Sequence, residues 1–202
     1  MKQEQVHELL YQALETEQGG VAVYSTALKC ALNDELKEEW EKYLEQTTHH
    51  EAVMRSVCEQ VGLDPETDTP GRQVVRHIGE SLVAAMEMAL TSGPPEAAQL
   101  VAGECVVLAE TKDHLNWELM SAVSKKAPAP MKGVLAKACK ELEEEEDEHI
   151  YHSTGWTREL WIDSLGMPAV LPPPEERKDV KTAIGAARAK NARGEMTSSR
   201  SK

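Results

Sequence analysis

Glu17 is followed by Tyr24 and Glu110 by Trp117, in each case seven residues on, so that acid and aromatic ring share one face of a helix two turns apart. Placed at 100° per residue against their apolar neighbours, both acids point inward. Glu17 falls on the stripe of Leu10 and Tyr24, and Glu110 on the stripe of Gly103, Val107, His114 and Trp117, whereas Glu15 points well away. A third inward group sits in "ELEEEEDEHIYH", residues 141–152. His149 lies on the centre line of Leu135, Ala138, Leu142, Trp156 and Leu160, Glu145 and Glu146 flank that line, and the other acids of the run face water. Glu146 and His149 have the i, i+3 spacing that lets two side chains of one helix converge on a single ion. His152, one turn on, is a further ligand or the partner of one.

The segment "YLEQTTHHEAVM" contributes another imidazole. The stripe of Leu36, Trp40, Tyr43, Met54 and Val57 turns Thr47 and His50 inward, leaves Glu51 at the flank, His49 mostly outward and Glu45 on the opposite face. A rotated register would make His49 the ligand, with Gln46 in the place of a carboxylate and Glu45 within reach, but it would put Lys42 and Ser56 in the core. The accompanying carboxylate is then Glu51, or absent. His114, one turn beyond Glu110, is a ligand, a residue that orients a carboxylate, or part of the core. Burying several ionised glutamates without counter-charge costs several kcal/mol each, so a group such as Glu17, His50, Glu110, Glu146 and His149 calls for cations. Two divalent ions would balance it, and carboxylate oxygen with imidazole nitrogen suits Fe, Mn or Zn.

The elements that must position these residues are helical, because apolar residues recur at helical spacing almost everywhere and alternating runs are missing. Helices are expected over about 2–31, from Asp34 to Gly62, from Pro95 to about Ala122, and from about Met131 to Leu165. A shorter amphipathic helix, "RQVVRHIGESLVAAMEMAL", lies in the long connection between the two pairs. Two helical hairpins joined by one long crossover make an all-α four-helix bundle over residues 1–168. Residues 169–202 are Pro-rich and then basic, with too few large apolar residues to hold a fold, and are expected to be a disordered tail. From Pro172 onward the net charge is +4, against −17 for the residues before it. That acidic body excludes nucleic acid as its partner, while the tail suits an acidic one. The four cysteines have no CxxC spacing, and neither a membrane span nor a signal peptide is apparent, so a cytoplasmic protein with reduced thiols is expected.

With these residues assembled, the chain resembles the ferritin-like superfamily of di-iron carboxylate bundles over about residues 4–165. "ETEQGGVAVY" is similar to the first helix of bacterioferritins, and "EEDEHI" stands in the fourth-helix position. "LEQTTHHEAVMRSVCEQVGLDP" and "ETKDHLNW" look more like the YciF-type branch of stress-associated ferritin-like proteins, whose spacing again selects His50. The resemblance implies a dinuclear iron or manganese centre, chemistry on dioxygen or peroxide, and a homodimer or larger assembly. The acid that bacterioferritins carry on the second helix is missing.

Overall fold

Helix ends in this chain are set by local chemistry. The computed structural model describes residues 1–199 and holds, among them, seven helices and no strand. Helix α1 (Gln3–Cys30) stops where the side chain of Gln99 accepts hydrogen bonds from the backbone N–H groups of Leu32 and Asn33, which turns the chain. Asn33 then caps α2 (Asp34–Gln60) by accepting from the Leu36 amide. Gly62 follows α2 at φ +82°, a conformation that glycine adopts without a Cβ penalty. Thr69 caps α3 (Pro70–Ser92), and α3 and α4 (Pro95–Ser124) each begin on a proline that needs no partner for the missing N–H. The long α5 (Met131–Ser164) ends before Gly166, at φ +72°.

The interior is divided. One apolar cluster gathers Leu10 and Leu14 of α1, Met54 and Val57 of α2, Trp117 and Met120 of α4, and Leu135 and Leu142 of α5. A second takes Tyr24 and Ala27, Leu36 and Trp40, Ala102 and Val106, and Trp156 and Leu160 from the same four helices. Each helix therefore carries an apolar stretch, a polar interval and another apolar stretch, and the four polar intervals meet at mid-height. The order of the clusters along the chain makes α2 and α4 run opposite to α1 and α5. Crossover helix α3 is longer than its amphipathic pattern indicates, 23 residues, and lies along α1 and α4.

The C-terminal segment departs from its expected disorder. Helices α6 (Pro174–Lys178) and α7 (Ala183–Ser199) continue the chain beyond α5, and Val170, Glu175, Val180 and Ala189 are buried. Polar groups hold it. Arg158 of α5 makes two hydrogen bonds to Glu175, at 2.7 and 2.8 Å, while buried Glu159 accepts from the Val170 amide and from Arg193 of α7. Gly155 makes the seat: a Cβ there would lie 2.7 Å from Glu175 Oε2. A hydrophobicity pattern cannot register an attachment made of ion pairs and one absent side chain. Residues 200–202 of the expected tail lie outside the described residues.

Candidate metal centre

Six ionisable side chains fill the polar interval: Glu17 of α1, His50 of α2, Glu110 and Asp113 of α4, and Glu146 and His149 of α5, all buried. The spacing of acid and aromatic on α1 and α4 has a mechanical reason. Trp117 of α4 donates its Nε1–H to Glu17 Oε1 at 3.0 Å, and Tyr24 of α1 donates its hydroxyl to Glu110 Oε1 at 2.6 Å. Each helix thus presents an acid and, two turns away, the donor that holds the other helix's acid.

The two imidazoles repeat the arrangement on α2 and α5. His50 Nε2 lies 2.8 Å from Glu145 Oε2 of α5, and His149 Nε2 lies 3.0 Å from Gln46 Oε1 of α2. An amide oxygen accepts only, and so does an ionised carboxylate, so both Nε2 atoms carry hydrogen and both Nδ1 lone pairs face inward. His50 Nδ1 lies 2.6 Å from Glu146 Oε1 and 3.9 Å from Glu17 Oε2, and His149 Nδ1 is 3.7 Å from Glu110 Oε2. The rings stack with centroids 5.5 Å apart. Fixing one ring nitrogen to free the other is how proteins orient histidine toward a metal.

The centre is nearly two-fold symmetric, and the departures are informative. Thr47 stands three residues before His50, where Glu146 stands before His149, and Gly20 stands where Asp113 follows Glu110. The carboxylate absent from α2 is thus supplied by α4: Asp113 is buried and groups with Glu17 and Glu146. Neither Glu51, which binds Gln18 and Arg55, nor exposed Glu45 takes that place. Asp113 went unnoticed in the sequence, although its i, i+3 relation to Glu110 was a usable signal.

Six oxygen and nitrogen atoms at this level have no hydrogen-bond partner among the described residues: Glu17 Oε2, His50 Nδ1, Glu110 Oε2, Asp113 Oδ1 and both Glu146 oxygens. Orphaned buried acceptors are rare and costly, and here they converge. Burial, and then the neighbouring carboxylates, push Glu17 and Glu146 well above the usual carboxylate range and Glu110 to about 8, while burial raises Asp113 to about 6 against the lowering pull of its contacts with Glu146 and Glu17 and of the Lys112 charge. Burial holds both imidazoles low, His149 most strongly, which is the neutral ligating form. His50, Glu146 and His149, and likewise Glu17, Asp113 and Glu146, bring ligand atoms within 4.8 Å of one another. These buried groups are able to hold a metal ion.

The expected site residues therefore divide. Glu17, His50, Glu110, Glu146 and His149 come together, and Glu146 rather than Glu145 faces the interior. His49 is exposed, beside Glu141. His114 turns out of the cluster to Asp147, 2.8 Å away, and lines a cleft of about 430 Å³ between α4 and α5 that reaches Glu146. His152 belongs to a different group, with Glu39 of α2 and Glu176 of α6. Burial pulls its imidazole down, but Glu176 and Glu39 outweigh that and hold it up to about 10.

No protein-family model, curated protein or solved structure matches this chain. Among the described residues no helix is long and apolar enough to cross a membrane.

Proposed function

We propose that the chain is a metal-dependent redox protein whose interior holds two iron ions, or manganese, for reaction with dioxygen or peroxide. The observation that carries this reading is the convergence of orphaned ligand atoms from four helices. Four carboxylates and two neutral imidazoles carry four negative charges, which two divalent ions balance without any buried cationic side chain. When bound, such ions supply redox equivalents and open coordination positions for a small oxidant.

The side chains have separate tasks in this reading. Glu17, Asp113, Glu146 and His50 would form one half of the ligand set and Glu110 and His149 the other, with Glu146 near enough to both His50 and His149 to contribute to either half. Trp117 and Tyr24 hold the outer oxygens of Glu17 and Glu110, so that the free oxygens stay aimed inward. Glu145 and Gln46 keep both Nδ1 atoms free for ligation. The cleft beside Trp117 and Tyr151 offers a small reactant a path to Glu146.

Metal analysis after anaerobic reconstitution with Fe(II) tests this directly. Two equivalents per chain, followed by an absorbance change on exposure to air, are expected; less than one equivalent would remove the proposal. A second reading, a non-catalytic ferritin-like stress or interaction module, is favoured by Thr47 standing where a bacterioferritin-like helix carries an acid. It predicts metal uptake without oxygen consumption. An assembly of two copies in a cytoplasmic setting belongs to the same family of proposals.

A further inference from the structure

Away from the main centre, Glu39 of α2, His152 of α5 and Glu176 of α6 bring ligand atoms within 4.8 Å of one another. Three elements meet here, and one of them belongs to the C-terminal segment. His152 Nε2 lies 2.8 Å from the carbonyl of Val180, which can only accept, so Nε2 carries hydrogen and Nδ1 faces the two acids. Glu39 Oε1 is 3.6 Å from Nδ1, and a Glu176 oxygen is closer still.

Glu39 accepts from Trp156 Nε1 at 2.6 Å through one oxygen and from the Tyr43 hydroxyl at 2.7 Å through the other, which fixes its plane. Glu176 Oε1, although against the ring, has no hydrogen-bond partner among the described residues. Even a protonated imidazole leaves one negative charge in excess in this largely enclosed place. A divalent cation with a neutral imidazole leaves none. A cleft of about 340 Å³ opens from this point to solvent, lined by Glu35, Glu38, Glu176 and the Lys42–Glu148 ion pair, so its wall keeps an excess of negative charge toward an arriving cation and leaves room for a water ligand.

We propose that Glu39, His152 and Glu176 form a separate single-cation site, suited to zinc or a similar divalent metal, that fastens the C-terminal segment onto the bundle. One nitrogen, two carboxylates and a water make a four-coordinate zinc set, with Val180, Trp156 and Tyr43 orienting the ligands. Since Glu176 lies beyond α5, binding here is coupled to docking of residues 169–199. The site shares no ligand with the main centre, and the Tyr43 ring, 4.2 Å from the His149 ring, stands between them.

The test uses the full chain, with zinc as probe and two variants, Glu176→Gln and Glu39→Gln. Zinc bound after dialysis is counted, and trypsin cleavage after Lys178, Lys181 and Arg188 is timed with zinc and with chelator. Each variant is expected to bind one zinc fewer than wild type, a difference that does not depend on how many ions the main centre takes. In wild type, zinc at ten times its dissociation constant should slow cleavage about tenfold, and in the variants it should not. Equal zinc counts in wild type and variants would overturn the proposal. So would zinc-independent cleavage of wild type, because the cluster would then be a protonated ion-pair clamp.

Discussion

Glu15 and Glu17 stand two residues apart on α1, both are buried, and their surroundings are opposite. Glu15 faces α3, where Arg72 Nε lies 2.6 Å from one carboxylate oxygen and Arg76 Nε 2.7 Å from the other. Burial alone would raise its pKa, and the hydrogen bonds and charges of Arg76 and Arg72 outweigh that and leave it lowered. Glu17 faces the bundle axis, where burial and then Asp113 and Glu110 push it up, and the Trp117 N–H offsets only part. A buried acid that the fold has already neutralised ties one helix to another. A buried acid surrounded by further acids marks a place prepared for something the chain does not itself contain.

The largest effect is expected where the first kind of acid is left uncompensated. Arg72→Met leaves Glu15 buried with only the half-exposed Arg76, and also frees the carbonyls of Pro65 and Thr67 that Arg72 caps. Urea unfolding should show a loss of about 3–5 kcal/mol, with metal content unchanged. Glu17→Gln should act in the reverse sense. It should gain about 1 kcal/mol in chelator-treated protein at neutral pH, since an amide relieves the crowding of acids, and should lose metal uptake. A loss of stability in that variant would mean that Glu17 already has an uncounted positive partner.

The pH dependence follows from the same contrast. Glu110 is raised from 4.5 to about 8, so in metal-free protein its contribution is whole below about pH 4.5. The unfolded chain releases that proton first, so stability falls as pH rises from there through about 8, by up to about 1.4 kcal/mol per unit for each proton retained. Thermal melts in chelator at pH 5, 6.5 and 8 should show the decline. Melts of metal-loaded protein should not, because the ions replace the protons. Trp117→Phe and Tyr24→Phe should each cost about 1 kcal/mol, and by near-equal amounts, if the two acids are held equivalently.

Helical periodicity was sufficient to place α1, α2, α4 and α5 and to turn Glu17, Glu110, His50 and His149 inward, because each lies on the apolar stripe of its own helix, whereas Glu145 and Glu146 both flank the α5 stripe and only the packing separates them. It failed where the decisive fact belongs to two helices at once. Glu15 is off the α1 stripe and buried nonetheless, since α3 covers that flank with arginines. Asp113 lies on the buried stripe of α4 with Val106, Glu110, Trp117 and Met120, but the stripe drawn from the sequence through Val107 and His114 is turned away from it by the way α4 packs. The C-terminal segment, read as disordered, is held by Arg158, Glu159 and Arg193, charged residues that a hydrophobicity argument assigns to water. The acid–aromatic repeat was visible, but only the packing of α1 on α4 explains it as an exchange of donors.

The smallest effect is expected at His114, and it carries the most weight for the boundary of the centre. On the stripe of Glu110 it is a plausible ligand, yet its Nε2 pairs with Asp147, and both side chains remain about one quarter exposed. Such a pair contributes well under 1 kcal/mol, since water screens it and two mobile side chains must be fixed. His114→Asn should therefore change stability by less than about 0.5 kcal/mol and leave the number of bound ions unaltered. Its position in the wall of the cleft that reaches Glu146 gives it influence over passage rather than binding. Stopped-flow loading with Fe(II) should register a change in rate with no change in end point. Loss of one equivalent in H114N would instead place this imidazole among the ligands and extend the polar interval outward along α4.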